Sequence, residues 1–302
     1  MSMQFRSACL LVLFSIFLPT TGNCEQTSAP GPEMMRALSH QDPQWLLIQP
    51  HLPDLVTATP ELLEMTGDVL RARRFPDDAL EYYNFALQKG GQQAPLWNKI
   101  GVTELELRNV TAARLYFQRV IHLKRKDAQG WNNLGAVECL DGYYGRAISD
   151  YNRAIKVDKV HGKNSATFHT NLGTALIEVK DYMGARKQYE IALQLDPEVY
   201  EHGGGTGLTA RLLSPEDQAR YCFEMARLYA ERKDEPNMLH YLTRASESGF
   251  DVLTEMGADR ALVRYRKDPR VLLLVRNAQA LRSGHSVAEM KGGLPPLAPN
   301  AQ

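Results

Sequence analysis

A glycine recurs at Gly67, Gly101 and Gly135, each 34 residues after the last, and this fixed step limits what the chain can fold into more than any other feature. Twelve residues after each glycine stands an alanine (Ala79, Ala113, Ala147), and sixteen after stands an aromatic ring (Tyr83, Phe117, Tyr151). Gly173 continues the series with Ala185 and Tyr189, displaced by a longer turn at 160–164. A period of this length is one pair of helices. A single pair cannot bury its apolar face alone, so the units must stack.

Further positions keep the same phase. Trp97 and Trp131 lie four residues before their glycines, and Ile100, Leu134 and Leu172 one before. Ala86, Val120, Ala154 and Ala192 lie nineteen after. Two antiparallel helices approach closely where both carry almost no side chain, and the rings fill the seam around that point. The pattern resembles the tetratricopeptide repeat. The resemblance implies an all-α fold, a right-handed superhelical solenoid of helix hairpins whose first helices line a concave groove.

Phase and punctuation then divide the chain. Residues 1–24 read as a signal peptide, 25–59 as a linker and irregular N-terminal cap, and 60–197 as four repeats. Residues 198–213 are a glycine-rich inserted loop, and 214–248 a degenerate fifth repeat with Ala226 in the glycine slot and Met238 in the alanine slot. Ser214 followed by Pro215 reads as the cap and first turn of its first helix. Residues 249–283 are expected to form C-terminal capping helices. The tail at 284–302, rich in glycine and proline, is expected to be disordered.

The N-terminal expectation rests on Arg6, an apolar run from Ala8 to Leu18, then Pro19 and small polar residues. Eleven helical residues rising about 1.5 Å each fall short of a hydrocarbon core of about 30 Å. The mature protein is therefore expected in the periplasm or secreted, with a membrane anchor as the alternative. Cys24 offers one route to such an anchor, by acylation, although Asn23 before it departs from the bacterial lipoprotein pattern.

Composition narrows the partners. Lys plus Arg and Asp plus Glu number 35 each, which leaves no basic excess for a nucleic-acid backbone. Cys139 and Cys222 lack the spacing of a metal or redox pair. The eight histidines form no His-Glu-x-x-His, so no metal or other cofactor is expected. His202-Gly203-Gly204-Gly205 resembles the oxyanion turn of some esterases, and a hydrolase built on it stays open as a third reading. The chain lacks the Gly-x-Ser-x-Gly that should accompany it. No enzyme is expected, and no small-molecule substrate is evident.

What remains is a surface. By phase, the groove implied by the resemblance presents Asn98, Lys99, Val102 and Leu105 from the second unit, Asn132, Asn133 and Ala136 from the third, and Asn171, Thr174 and Ile177 from the fourth. Amide side chains both donate and accept, so a row of them suits the backbone of an extended peptide. The leading expectation is a scaffold in the bacterial cell envelope that binds a peptide or helix segment of another protein in a largely neutral groove. An envelope assembly lipoprotein anchored through Cys24 is the alternative.

Overall fold

The structure is a computed structural model that describes residues 31–160, 162–200 and 214–283. The expected signal peptide, Cys24, most of the inserted loop with its His202 turn, and the C-terminal tail lie outside the described residues. Among the described residues the only regular elements are fourteen α-helices and two short 3-10 turns. None is long and apolar enough to cross a membrane.

The chain divides at His51 into two units. The first contains α1 (Pro32–Ser39) and α2 (Pro43–Ile48), followed by a 3-10 turn. Pro43 occupies the first turn of α2, where a missing N–H costs nothing, and Asp42 caps that helix by accepting from Gln44 N at 2.7 Å. Trp45 is buried and stacks on His40 with ring centroids 3.8 Å apart.

The second unit is a run of helix hairpins: α3 (Pro60–Ala72) with α4 (Pro76–Gln88), α5 (Gln93–Glu106) with α6 (Val110–Leu123), α7 (Ala128–Leu140) with α8 (Tyr144–Val157), and α9 (Lys163–Glu178) with α10 (Tyr182–Leu195). A fifth pair, α11 (Pro215–Glu231) and α12 (Glu235–Glu247), follows, then α13 (Val252–Ala258) and α14 (Pro269–Arg282). Partners within each pair pack on each other, each pair packs on the next, and α14 lies against α12. Ser214 caps α11 by accepting from Asp217 N at 3.0 Å.

The seam is built as the spacing requires. A Cβ placed on Gly67, Gly101 or Gly135 would lie 2.5, 2.6 or 2.7 Å from the ring of Tyr83, Phe117 or Tyr151, and at Gly173 the Tyr189 ring is closer still. All four rings are fully buried, as are Ala79, Ala113, Ala147 and Ala185. The fifth pair solves the same packing with different volumes. Ala226 and Met238 are larger than the residues they replace, Leu242 is smaller than a tyrosine, and all three are completely buried. Such an exchange keeps total core volume near constant, which packing tolerates best.

Each hairpin turns on one left-handed residue placed seven positions after the glycine or alanine of the seam. Arg74, Arg108, Gly142, Lys180 and Lys233 have φ of 68°, 66°, 75°, 64° and 63°. The next residue donates its N–H back into the last turn of the first helix, as Tyr143 N does to Glu138 O at 2.8 Å and Asp181 N to Leu176 O at 2.9 Å. This satisfies carbonyls that the helix end would otherwise orphan. Only one of the five turns uses the residue that adopts this conformation freely.

Candidate protein-interaction surface

The first helices α3, α5, α7 and α9 contribute one residue row after another to a common face. At its beginning the row is charged. Lys99 Nζ lies 2.7 Å from Glu64 Oε1 and 2.6 Å from Asp68 Oδ2, and Tyr83 Oη donates to Asp68 at 2.8 Å. Burial works to lower the Lys99 pKa, but Asp68 and Glu64 outweigh it and hold the ammonium above its ordinary value. The largely neutral groove expected from sequence is therefore not neutral here, because two carboxylates converge on one lysine.

Farther along, the row closes on itself. Asn171 Nδ2 donates to Asn132 Oδ1 at 2.8 Å, Asn132 Nδ2 donates to Asn133 Oδ1 at 3.2 Å, and Asn133 Nδ2 donates to Asn98 Oδ1 at 3.3 Å. Asn132, Asn133 and Asn171 are completely buried. The amides expected to meet a peptide backbone instead tie α9 to α7 and α7 to α5. Burial explains the difference, since an amide taken out of water must find partners, and the neighbouring helices supply them.

The other expected groove residues divide in the same way. Ile177 is fully buried in the core formed with Ala185 and Tyr189, so it is not presented on the face. Thr174 is buried and bonds Thr170 O at 3.1 Å, and Ala136 is buried. Asn98, Lys99, Val102 and Leu105 on α5 remain partly exposed, the last two resting on the small core around Phe117 and Leu134. The accessible part of the predicted row is thus its α5 portion.

At the outer side of α3, Leu62 and Val69 are 38% and 46% exposed. Their counterparts one repeat on, Leu96 and Thr103, are completely buried, as is Val137 a further repeat on.

Nucleophile and metal chemistry find little support in what is described. The Cys139 thiol is pushed up to about 11 by burial, and Cys222 is also raised by burial. A thiol that holds its proton at neutral pH is a poor nucleophile. Among the described residues no cluster of three or more His, Cys, Asp or Glu side chains could hold a metal ion. His169, in the slot that holds Trp97 and Trp131 in other repeats, has its Nδ1 2.7 Å from Gln188 Oε1 on α10.

Sequence reasoning missed one concavity entirely. It lies between the second helices α6 and α8, with Trp131 of α7 beside it. The signal was present as basic residues clustered around 119–126 and again in α8, but no spacing rule marks second helices as a binding face.

Helix hairpins stacked in one direction, each seamed by glycine or alanine against a large side chain, define an α-solenoid of the kind that serves as a protein-interaction scaffold. Residues 64–130 and 98–161 match the tetratricopeptide repeat family model, so this stretch of the chain carries tetratricopeptide repeats. Among solved structures it is similar to MamA, at 18% identity over 60% of this chain and 93% of that one, with a TM-score of 0.41. It is also similar to pilF of Pseudomonas aeruginosa, at 17% identity over 74% and 82% of the two chains (TM-score 0.45). A third is YrrB, described as a TPR protein with an unusual peptide-binding site, at 16% identity over 72% and 97% (TM-score 0.40). No curated protein sequence matches.

Proposed function

We propose that this chain is a non-catalytic adaptor that holds a segment of another protein against the first-helix face of its early repeats. The observation that supports this is the contrast along the row. Asn132, Asn133 and Asn171 are locked into the asparagine relay, whereas Val102 and Leu105 stay accessible beside the Lys99 cluster. A partner there meets apolar side chains for affinity and a lysine held between two carboxylates for orientation.

Export is part of the same proposal. The basic, apolar and small-residue order of 1–24 supports a periplasmic or secreted location, with anchoring through Cys24 as the alternative. A reporter fused after residue 30 should reach the periplasm with the leader removed. Retention of the uncleaved fusion in the membrane would favour an anchor.

The binding face is tested by photo-crosslinking in the native host, with a benzophenone amino acid placed at Val102 or Leu105 and, as control, at exposed Lys187 on α10. The expected result is one shared adduct from the two α5 positions that is absent from Lys187. Equal adducts from all three, or none from α5, would overturn the assignment.

A further inference from the structure

A groove of about 660 Å³ opens between α6 and α8, the second helices of the second and third repeats. That volume falls in the range of roughly 300–1,000 Å³ typical of clefts that bury a small ligand. Its apolar part is Ile121 and the indole of Trp131. The ring is pinned, because Trp131 Nε1 donates to Arg125 O at 3.0 Å and the Arg153 guanidinium sits 5.8 Å from its centroid.

Charge on this groove is one-sided. His122, Arg125, Arg153 and Lys156 line it, against Asp150 as the one lining carboxylate, in a chain whose 35 cations and 35 anions otherwise balance. All four basic side chains are exposed. Some cations elsewhere in the repeats are ion-paired, as Arg114 is with Asp141 and Lys180 with Asp217. Among the described residues, none of the four at the groove has a carboxylate in ion-pair contact.

The polar lining selects between kinds of anion. Gln118 and Asn152 can donate and accept, whereas an ionised Asp150 only accepts. A polypeptide brings backbone N–H donors to such acceptors while its acidic side chains meet the cations. A phosphodiester backbone brings no donor and sets a like charge against Asp150. The indole adds a place for one apolar or aromatic side chain, the usual anchor of a peptide site.

We infer that the α6–α8 groove is a docking site for a short acidic segment of another protein, carrying an aromatic or apolar residue among its carboxylates. The site is separate from the α5 face, so each can fail without the other.

The test uses the full mature chain and the peptide DEDFEDEE-amide carrying fluorescein on its N-terminal amine, read by anisotropy, with a neutral counterpart (NQNFQNQQ) and a poly-dT oligonucleotide as competitors. The acidic peptide should bind, more weakly as salt rises. Reversing Arg125→Glu and Lys156→Glu together should weaken it at least tenfold and allow the basic peptide KRKFKRKK to bind instead. The same charge change at exposed Arg232→Glu and Lys267→Glu should leave binding within twofold. No binding to the wild-type chain, equal loss from both variant pairs, equal binding of the neutral peptide, or tighter binding of the oligonucleotide would each overturn the assignment.

Discussion

Asn171 on α9 donates its side-chain amide to Asn132 on α7 across 2.8 Å, with both residues completely buried. The bond joins two successive first helices at residues one position apart in phase, Asn132 three before Gly135 and Asn171 two before Gly173. Neutral hydrogen bonds add about 0.5–1.5 kcal/mol net, but stranding a buried polar partner costs about 1–3 kcal/mol. The relay therefore holds the stacking of repeats more firmly than surface amides would.

Asn171→Ala should accordingly lower stability by about 1–3 kcal/mol in urea or thermal melts. Asn132→Ala combined with Asn171→Ala should cost less than the two losses added, with a coupling of about 0.5–3 kcal/mol. Amides on an open face would leave stability nearly untouched, so unchanged melts would show that the relay is not formed.

The seam predicts opposite signs for one substitution at two glycines. Gly135→Ala places a Cβ about 2.7 Å from the Tyr151 ring and should destabilise by about 1–3 kcal/mol. Gly145, in the first turn of α8, has no atom within 4 Å of a new Cβ. Gly145→Ala should be neutral or stabilising by up to about 1 kcal/mol, since alanine loses less backbone entropy in a helix. Equal melting temperatures for the two variants would disprove the close approach.

Turn chemistry gives a second pair. Left-handed backbone costs a non-glycine residue roughly 1–2 kcal/mol. Gly142→Ala should lose about that much, while Arg108→Gly at φ 66° should gain up to about 1 kcal/mol. Chemical denaturation midpoints of the two variants should move in opposite directions.

Asp150 predicts a pH dependence. Burial, helped by the nearby Glu138 charge and opposed by Arg146, pushes its carboxyl from 3.8 up to about 6. Between those values the folded chain keeps a proton that the unfolded chain has released, so this group's contribution to stability falls as pH rises through the window. Asp150→Asn should flatten that limb and raise stability at neutral pH by about 1 kcal/mol once solvent screening is allowed for. A melting-temperature profile between pH 4 and pH 7 that is unchanged by the substitution would contradict the shift.

Periodicity was enough to place the hairpins. The 34-residue step identifies which residues meet inside one hairpin, because Gly135 and Tyr151 are sixteen residues apart on a single antiparallel pair, and that contact is fixed by local helix geometry. Even the degenerate fifth unit is legible, since Ala226, Met238 and Leu242 keep their phase while exchanging volume.

Contacts between repeats, by contrast, were decided by the tertiary structure. Phase put Asn132, Asn133 and Asn171 on one row, yet whether that row faces solvent or its own neighbours depends on how closely successive first helices stack. The same stacking buries Ile177, brings Glu64 and Asp68 onto Lys99 from the adjacent helix, and leaves a cationic groove between α6 and α8 around Trp131. Helical periodicity specifies the face of a residue on its own helix. Exposure is set by the distance to the next helix, a sum over many packed side chains that no single spacing records.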